Sequence, residues 1–255
     1  MPNEIETTVE IKWIYTPADF LEEKIPLECE RYSIEIDNGQ ILARMTESRF
    51  AAQPGIREMI AADLDAYFLG LNLGRRKPFN IQGGTIIRIY PDGHTDTTLS
   101  IQGVTTHVHL AENIDLVVTD KNGRVHDTRR NRIEAEKKIA QLSAKHRANP
   151  AVRKILTSYY NSVEDPGNEL VYLYEVWEAL KRELGKKADR ILNIPVHDRK
   201  RLEKLACKNL KQGRHRGRFL GLRDATAKEL DEARSVTKAM IIQYLQLLET
   251  STAQS

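Results

Sequence analysis

The residues best suited to chemistry lie in one run, Cys207-Lys-Asn-Leu-Lys-Gln-Gly-Arg-His-Arg-Gly-Arg-Phe-Leu-Gly-Leu-Arg223. It holds six cations (Lys208, Lys211, Arg214, Arg216, Arg218 and Arg223) and no acid. His215 stands between Arg214 and Arg216, with Gly213 and Gly217 just outside them. Like charge lowers the pKa of an imidazole, so His215 among guanidinium groups is suited to act as a base near neutral pH. Arginine grips phosphate through two parallel hydrogen bonds, and histidine moves a proton. Together these residue types point to a phosphate-bearing ligand. A solvated basic loop between two helices is the plainer reading of the same residues.

Composition frames what can position such a run. At 255 residues, 40% apolar and 29% charged, the chain is long enough for two domains with separate cores. No stretch reaches the roughly 18 consecutive apolar residues of a membrane span, and the N-terminus carries no basic-then-apolar leader pattern. Cys29 and Cys207 have no CxxC partner. That argues against thiolate zinc and a disulfide framework, and leads to the expectation of a reducing cytoplasm. Charge is unevenly placed. Residues 1–50 carry five basic and eleven acidic groups, while 151–255 carry twenty and fourteen. Halves of opposite sign imply distinct partners, or halves that face each other.

The fold expected is α+β: a mostly antiparallel β domain with one helix over 1–127, then an all-α bundle. Glu4–Tyr15 alternates as a first strand. Asn38-Gly39, between two β-rich runs, has the chemistry of a two-residue hairpin turn. A helix is predicted from Pro54 to Leu73, closed by Gly74. Strands are then expected at Thr85–Tyr90, Thr95–Ile101, Val104–Leu110 and Ile114–Thr119, with turns at Pro91-Asp92-Gly93 and Asp120–Gly123. His107 and His109 share one face of an expected strand, a pair that lacks a third metal ligand at a defined spacing. Gly83-Gly84 has no following Lys-Ser/Thr and is no phosphate loop. Asp115 with Glu134, Glu136 and Lys138 is not a nuclease carboxylate set, because the Glu-x-Lys falls in a helical run rather than on one strand face. Neither metal nor cofactor is called for.

A charged connecting helix is expected over 128–148, mostly solvated, with Ile133, Ala135, Ile139 and Leu142 as its apolar residues. The bundle follows over 149–250, expected to fold on its own, and 251–255 reads as a disordered tail. Asn149-Pro150 opens one helix. Leu170, Leu173, Tyr174, Trp177, Leu180 and Leu184 stripe the next, which Gly185 stops. Asp198 caps a helix running to about Gln212, with Leu202, Leu205, Ala206 and Asn209 on one face. Asn209 there must find hydrogen-bond partners, near its helix end or in the cleft of His215. The capping box Thr226-Ala-Lys-Glu229 opens the last helix.

On these residues the helical half resembles the HEPN superfamily, small all-α domains that bind nucleotides or cut RNA without metal through an Arg-x4–6-His motif. The matching stretch is Lys208-Asn209-Leu-Lys-Gln-Gly-Arg-His215, with Asn209 at the polar position that commonly follows the Arg. Lys208 stands where the family has Arg, and a point charge does not make the bidentate clamp. Gly213 also interrupts the helix that usually carries the motif. The resemblance implies RNA or another phosphate-bearing ligand, a homodimer through the helical half, and 2′-hydroxyl attack on the adjacent phosphodiester. In it His215, Asn209 and Lys208 are the catalytic set, and Lys211, Arg214, Arg216, Arg218 and Arg223 grip phosphate. Glu175 is a candidate to orient His215.

Overall fold

The computed structural model describes residues 6–28, 32–98, 117–119, 125–207, 210–214 and 221–252. Contacts divide the chain into two units, Met1–Asp65 with Lys77–Leu110 and Ala66–Arg76 with Ala111–Ser255. The architecture is α+β, an antiparallel six-stranded sheet followed by a helical C-terminal half.

The sheet unit begins with β1 (Thr8–Thr16), β2 (Ile25–Glu28), β3 (Ser33–Asp37) and β4 (Gln40–Thr46). Helices α1 (Glu47–Ala52) and α2 (Ile56–Arg75) follow, then β5 (Asn80–Ile89) and β6 (Thr95–Thr98). Strand order is β2-β3-β4-β1-β5-β6, with every neighbouring pair antiparallel. Alternation sets the core face: Val9, Ile11, Trp13 and Tyr15 of β1 are buried with Ile34, Ile36, Ile41, Ala43 and Met45. The opposite face is mixed, with Ile14 exposed on it, and the cross-strand partners Glu10 and Arg44 pair there at 2.9 Å. The β3–β4 turn is the expected Asn38-Gly39, both residues at positive φ (42° and 81°), as a primed turn requires. Gly83-Gly84 falls inside β5, where the register against β1 shifts between Lys12 and Trp13. Two elements were not anticipated. One is β2, a four-residue edge strand containing Pro26. The other is α1, capped by Thr46.

The helical unit contains a short hairpin, β7 (Val117–Thr119) with β8 (Val125–Asp127), and then α3 (Thr128–Lys145) and α4 (Pro150–Glu164). After these come α5 (Glu169–Leu184), α6 (Ala188–Ile191), α7 (Val196–Cys207) and α8 (Ala227–Thr252). Its core joins Leu156 and Tyr159 of α4 to Leu173, Trp177 and Leu180 of α5, Leu202 and Leu205 of α7, and Met240, Ile241 and Tyr244 of α8. Asn149 caps α4 by accepting from the N–H groups of Ala151 and Val152. On α5 the stripe is shifted from the sequence reading: Val176 is buried and Tyr174 is half-buried. Helix α7 does not run to Gln212, since Leu210 is in a bridge and Lys211-Gln212 in a turn, and α8 extends to Thr252, two residues into the expected tail.

The second half of α2 counts with the helices. Gly70 and Gly74 face α3: a Cβ at Gly70 would lie 2.7 Å from Ala140 Cα, and one at Gly74 2.6 Å from Glu136 Oε1. Two glycines one turn apart thus let the helices approach closely. Accordingly α3 buries Ile133, Glu136, Ala140 and Ser143, so that of its four expected apolar residues only Ile133 is fully buried. Glu136 is tolerated there because Arg75 pairs with it at 3.0 Å and Arg132 at 3.4 Å. The next arginine serves a different helix. Arg76, at φ 49°, reaches Glu169 of α5 at 2.8 Å, and Arg234 of α8 grips the same carboxylate through two nitrogens at 2.5 and 2.8 Å. Glu169 is only 1% exposed, so both guanidinium groups are needed to offset its desolvation.

Candidate nucleic-acid interface

Beyond Cys207 in α7, the described parts of the basic run are residues 210–214 and 221–223, and they meet. Leu210, fully buried, forms a parallel bridge with Arg223, and Lys211 N–H donates to Arg223 C=O at 3.0 Å. Arg214 N–H donates to Ala206 C=O at 2.8 Å and Gly213 N–H to Leu210 C=O at 3.0 Å, tying the segment to the end of α7. Gln212 crosses to the other side, accepting from Ala225 N–H at 3.0 Å. The run therefore leaves α7 and returns toward α8 at one hydrogen-bonded place.

Each described cation of the run meets an acid. Lys211 pairs with Asp224 at 3.0 Å, one residue beyond the end of the acid-free run. Arg223 holds both oxygens of Glu229 at 2.8 and 2.9 Å. Glu229 also completes the expected capping box, receiving Thr226 N–H at 3.1 Å while its own N–H donates to Thr226 Oγ1 at 3.2 Å. These contacts, the Arg223 hydrogen bonds foremost, hold the Glu229 carboxyl well below the usual carboxylate range. Hydrogen bonding by Lys211 likewise lowers Asp224.

Arg214 turns toward α5. Its Nη1 donates to Glu178 Oε1 at 2.6 Å, and its guanidinium carbon lies 5.5 Å from the centre of the Tyr174 ring. Tyr174 and Glu178 are four residues apart and so share a helix face. Burial, then the charges of Glu178, Glu203 and Cys207, push the Tyr174 phenol up. The hydrogen bond to Glu178 pushes the Arg214 guanidinium further up. Glu203 is itself held by Trp177 Nε1 at 3.2 Å and by Arg199 at 2.7 Å. A cation fixed between a carboxylate and an aromatic face is suited to bind an oxyanion with defined orientation.

Of the residues singled out from sequence, Lys211 and Arg223 come together through their backbones, and Arg214 sits on α5. Lys208, Asn209, His215, Arg216 and Arg218 lie outside the described residues, as do His107, His109, Val104–Leu110 and the Asp120–Gly123 turn. Glu175 faces α4, where Lys154 reaches it at 3.0 Å and Ser158 at 3.1 Å. The acid of α5 that meets the basic run is Glu178, one turn on. Its spacing from Tyr174 was visible in the sequence, but nothing there marked which of the two acids would face the run. Glu136, considered and rejected as a nuclease carboxylate, is buried against arginines. Among the described residues no group of three His, Cys, Asp or Glu is placed to hold a metal ion. Nor is any helix among them long and apolar enough to cross a membrane. An open groove of about 970 Å³ between the starts of α7 and α8 is lined by both signs of charge, with Arg201 and Glu232 paired at 2.8 Å.

No family model, no curated protein and no solved structure matches the chain.

Proposed function

We propose that the helical half is an RNA-binding module of the HEPN type, with the run 207–223 as its contact surface. The observation that carries this reading is the joining of the run's two ends at Lys211 and Arg223, with Arg214 held against the ring of Tyr174. A cation-rich segment anchored at both ends delivers several charges to one place at a lower ordering cost than a free tail. Lys208, Arg216 and Arg218 add to that charge, and His215 brings a group able to move a proton.

The finer proposal is metal-independent cleavage. His215 serves as general acid or base, Asn209 and Lys208 position the scissile phosphate, and the 2′-hydroxyl attacks phosphorus. A 2′,3′-cyclic phosphate forms and the 5′-oxygen leaves with a proton. The module acts in the cytoplasm, as a homodimer through its helical half.

The test uses the full chain with end-labelled single-stranded RNA in the presence of a chelator. Changing Arg214, Arg216 and Arg218 together to Gln weakens binding at low salt, while the melting temperature stays within a few degrees of the parent. His215→Ala removes cleavage and leaves binding, and Lys208→Arg raises cleavage by restoring the guanidinium fork. Binding without cleavage by either the parent or Lys208→Arg removes the catalytic proposal and leaves the binding module. No binding at all removes both, and a docking surface for an acidic protein then accounts better for the run.

A further inference from the structure

The Arg214 contact carries a consequence for how RNA would enter, and it rests on the RNA-binding reading. We infer that Glu178 occupies the place of an RNA phosphate on Arg214, competing with RNA for the guanidinium, while Tyr174 keeps that guanidinium in position through the exchange.

A carboxylate and a phosphate present similar acceptor oxygens to a guanidinium, so one can replace the other without moving Arg214. The pair is accessible: the Arg214 side chain is 42% exposed and that of Glu178 41%. An ion pair at such exposure contributes at most about 1 kcal/mol, so a polyanion offering phosphate oxygens to Arg214 can displace the carboxylate. The other described pairs are less suited to exchange. Glu229 has an 11% exposed side chain, accepts from Arg223 through both oxygens, and caps α8. Lys211 is a point charge whose partner Asp224 is also bonded by Gln212. Arg214 alone among the described cations of the run combines access with a ring that fixes its orientation. The next acid of α5 toward its N-terminus, Glu175, is engaged elsewhere, by Lys154 and Ser158 on α4. Glu203 is likewise engaged by Trp177 and Arg199.

Two readouts separate a competing carboxylate from a merely structural one. Removing the competitor tightens RNA binding, and it also frees Arg214 to release a counterion when RNA binds. Glu178→Gln keeps the shape of the side chain. Its affinity for a short fluorescein-labelled oligouridylate rises roughly five-fold at low salt, the change that ~1 kcal/mol corresponds to. Its slope of log affinity against log salt steepens by about 0.7. In the Arg214→Gln background the same substitution leaves both values unchanged, and Glu175→Gln in the parent raises affinity less than Glu178→Gln. A parent that binds RNA while Glu178→Gln binds no tighter overturns the inference and leaves the RNA-binding reading standing. An equal gain with and without Arg214 overturns it too, by reducing the effect to net charge. Absence of binding by parent and Glu178→Gln alike overturns both readings together.

Discussion

At the scale of single residues, the helical unit depends on a few carboxylates whose partners are distant in sequence. Glu169 and Glu136 are buried and held by consecutive arginines, Arg76 and Arg75, at the end of α2. Neither pairing was legible in the sequence. Arg75-Arg76-Lys77 reads there as charge complementing a helix C-terminus, and Glu169 lies 93 residues from Arg76. Glu229 is the opposite case, because Thr226-Ala-Lys-Glu229 announces its capping role within four residues. Its pH dependence follows from Arg223 and the cap, which hold the folded-state pKa below the unfolded value of 4.5. A depressed carboxylate contributes stability that is fully present above the unfolded pKa and is lost as pH falls through and below it. Between roughly pH 6 and pH 3, the parent therefore loses more stability than Glu229→Gln, and the gap between the two melting temperatures narrows toward the acid end. A constant gap between them across that range would show that Glu229 acts through shape alone.

Elements with a local signal were readable, and elements that answer to a neighbour were not. The β3–β4 hairpin needed only Asn38-Gly39, and the α4 cap only Asn149-Pro150. The buried face of α3 was not legible because its few apolar residues share no single face: Ala135, Ile139 and Leu142 lie opposite Ile133, and the helix buries Ile133 with Glu136, Ala140 and Ser143. What decides the phase lies in α2, where Gly70 and Gly74 admit α3 and Arg75 neutralises Glu136. Tyr174 was likewise placed in the core stripe of α5, although it sits at the margin and meets Arg214 instead. The glycines give a prediction whose sign is unusual. Alanine is ordinarily the better helix former by about 1 kcal/mol. At Gly70, however, a methyl would come within 2.7 Å of Ala140 Cα, a backbone atom that has little room to yield. Gly70→Ala accordingly lowers the unfolding free energy by about 1–3 kcal/mol in a urea titration. Gly74→Ala does the same by displacing the Glu136 side chain. Stabilisation by either variant would mean that the two helices do not approach so closely.

Across the whole molecule, the α+β class was legible, since strand alternation gives way to helical periodicity near residue 127. The grouping of Ala66–Arg76 with the helices was not, because nothing local distinguishes the two halves of a continuous helix. That grouping changes what a truncated chain should do. A fragment of residues 145–255 lacks α3, the buried Leu69, Leu71 and Leu73, and the Arg76 partner of Glu169. Its thermal transition, followed by circular dichroism, is broad and lies below that of the full chain. A sharp transition at the full-chain temperature would show that the helices from α4 onward suffice.

The candidate site was legible in part. The acid-free run of six cations and its single histidine stood out by composition, whereas the acids that meet three of those cations come from Glu178, Asp224 and Glu229, outside the run. Folding thus sets much of the run's local charge. On the RNA-binding proposal, Arg214 contributes by exchanging Glu178 for phosphate, alongside the run's remaining cations Lys208, Arg216 and Arg218. The most direct measurement of the central claim is the affinity of the full chain for single-stranded RNA across a salt series. The RNA-binding account predicts a linear fall of log affinity with log salt, with a slope near −2 to −3 for three to four phosphate contacts at about 0.7 each. Affinity that is absent at low ionic strength, or that does not change with salt, would contradict it.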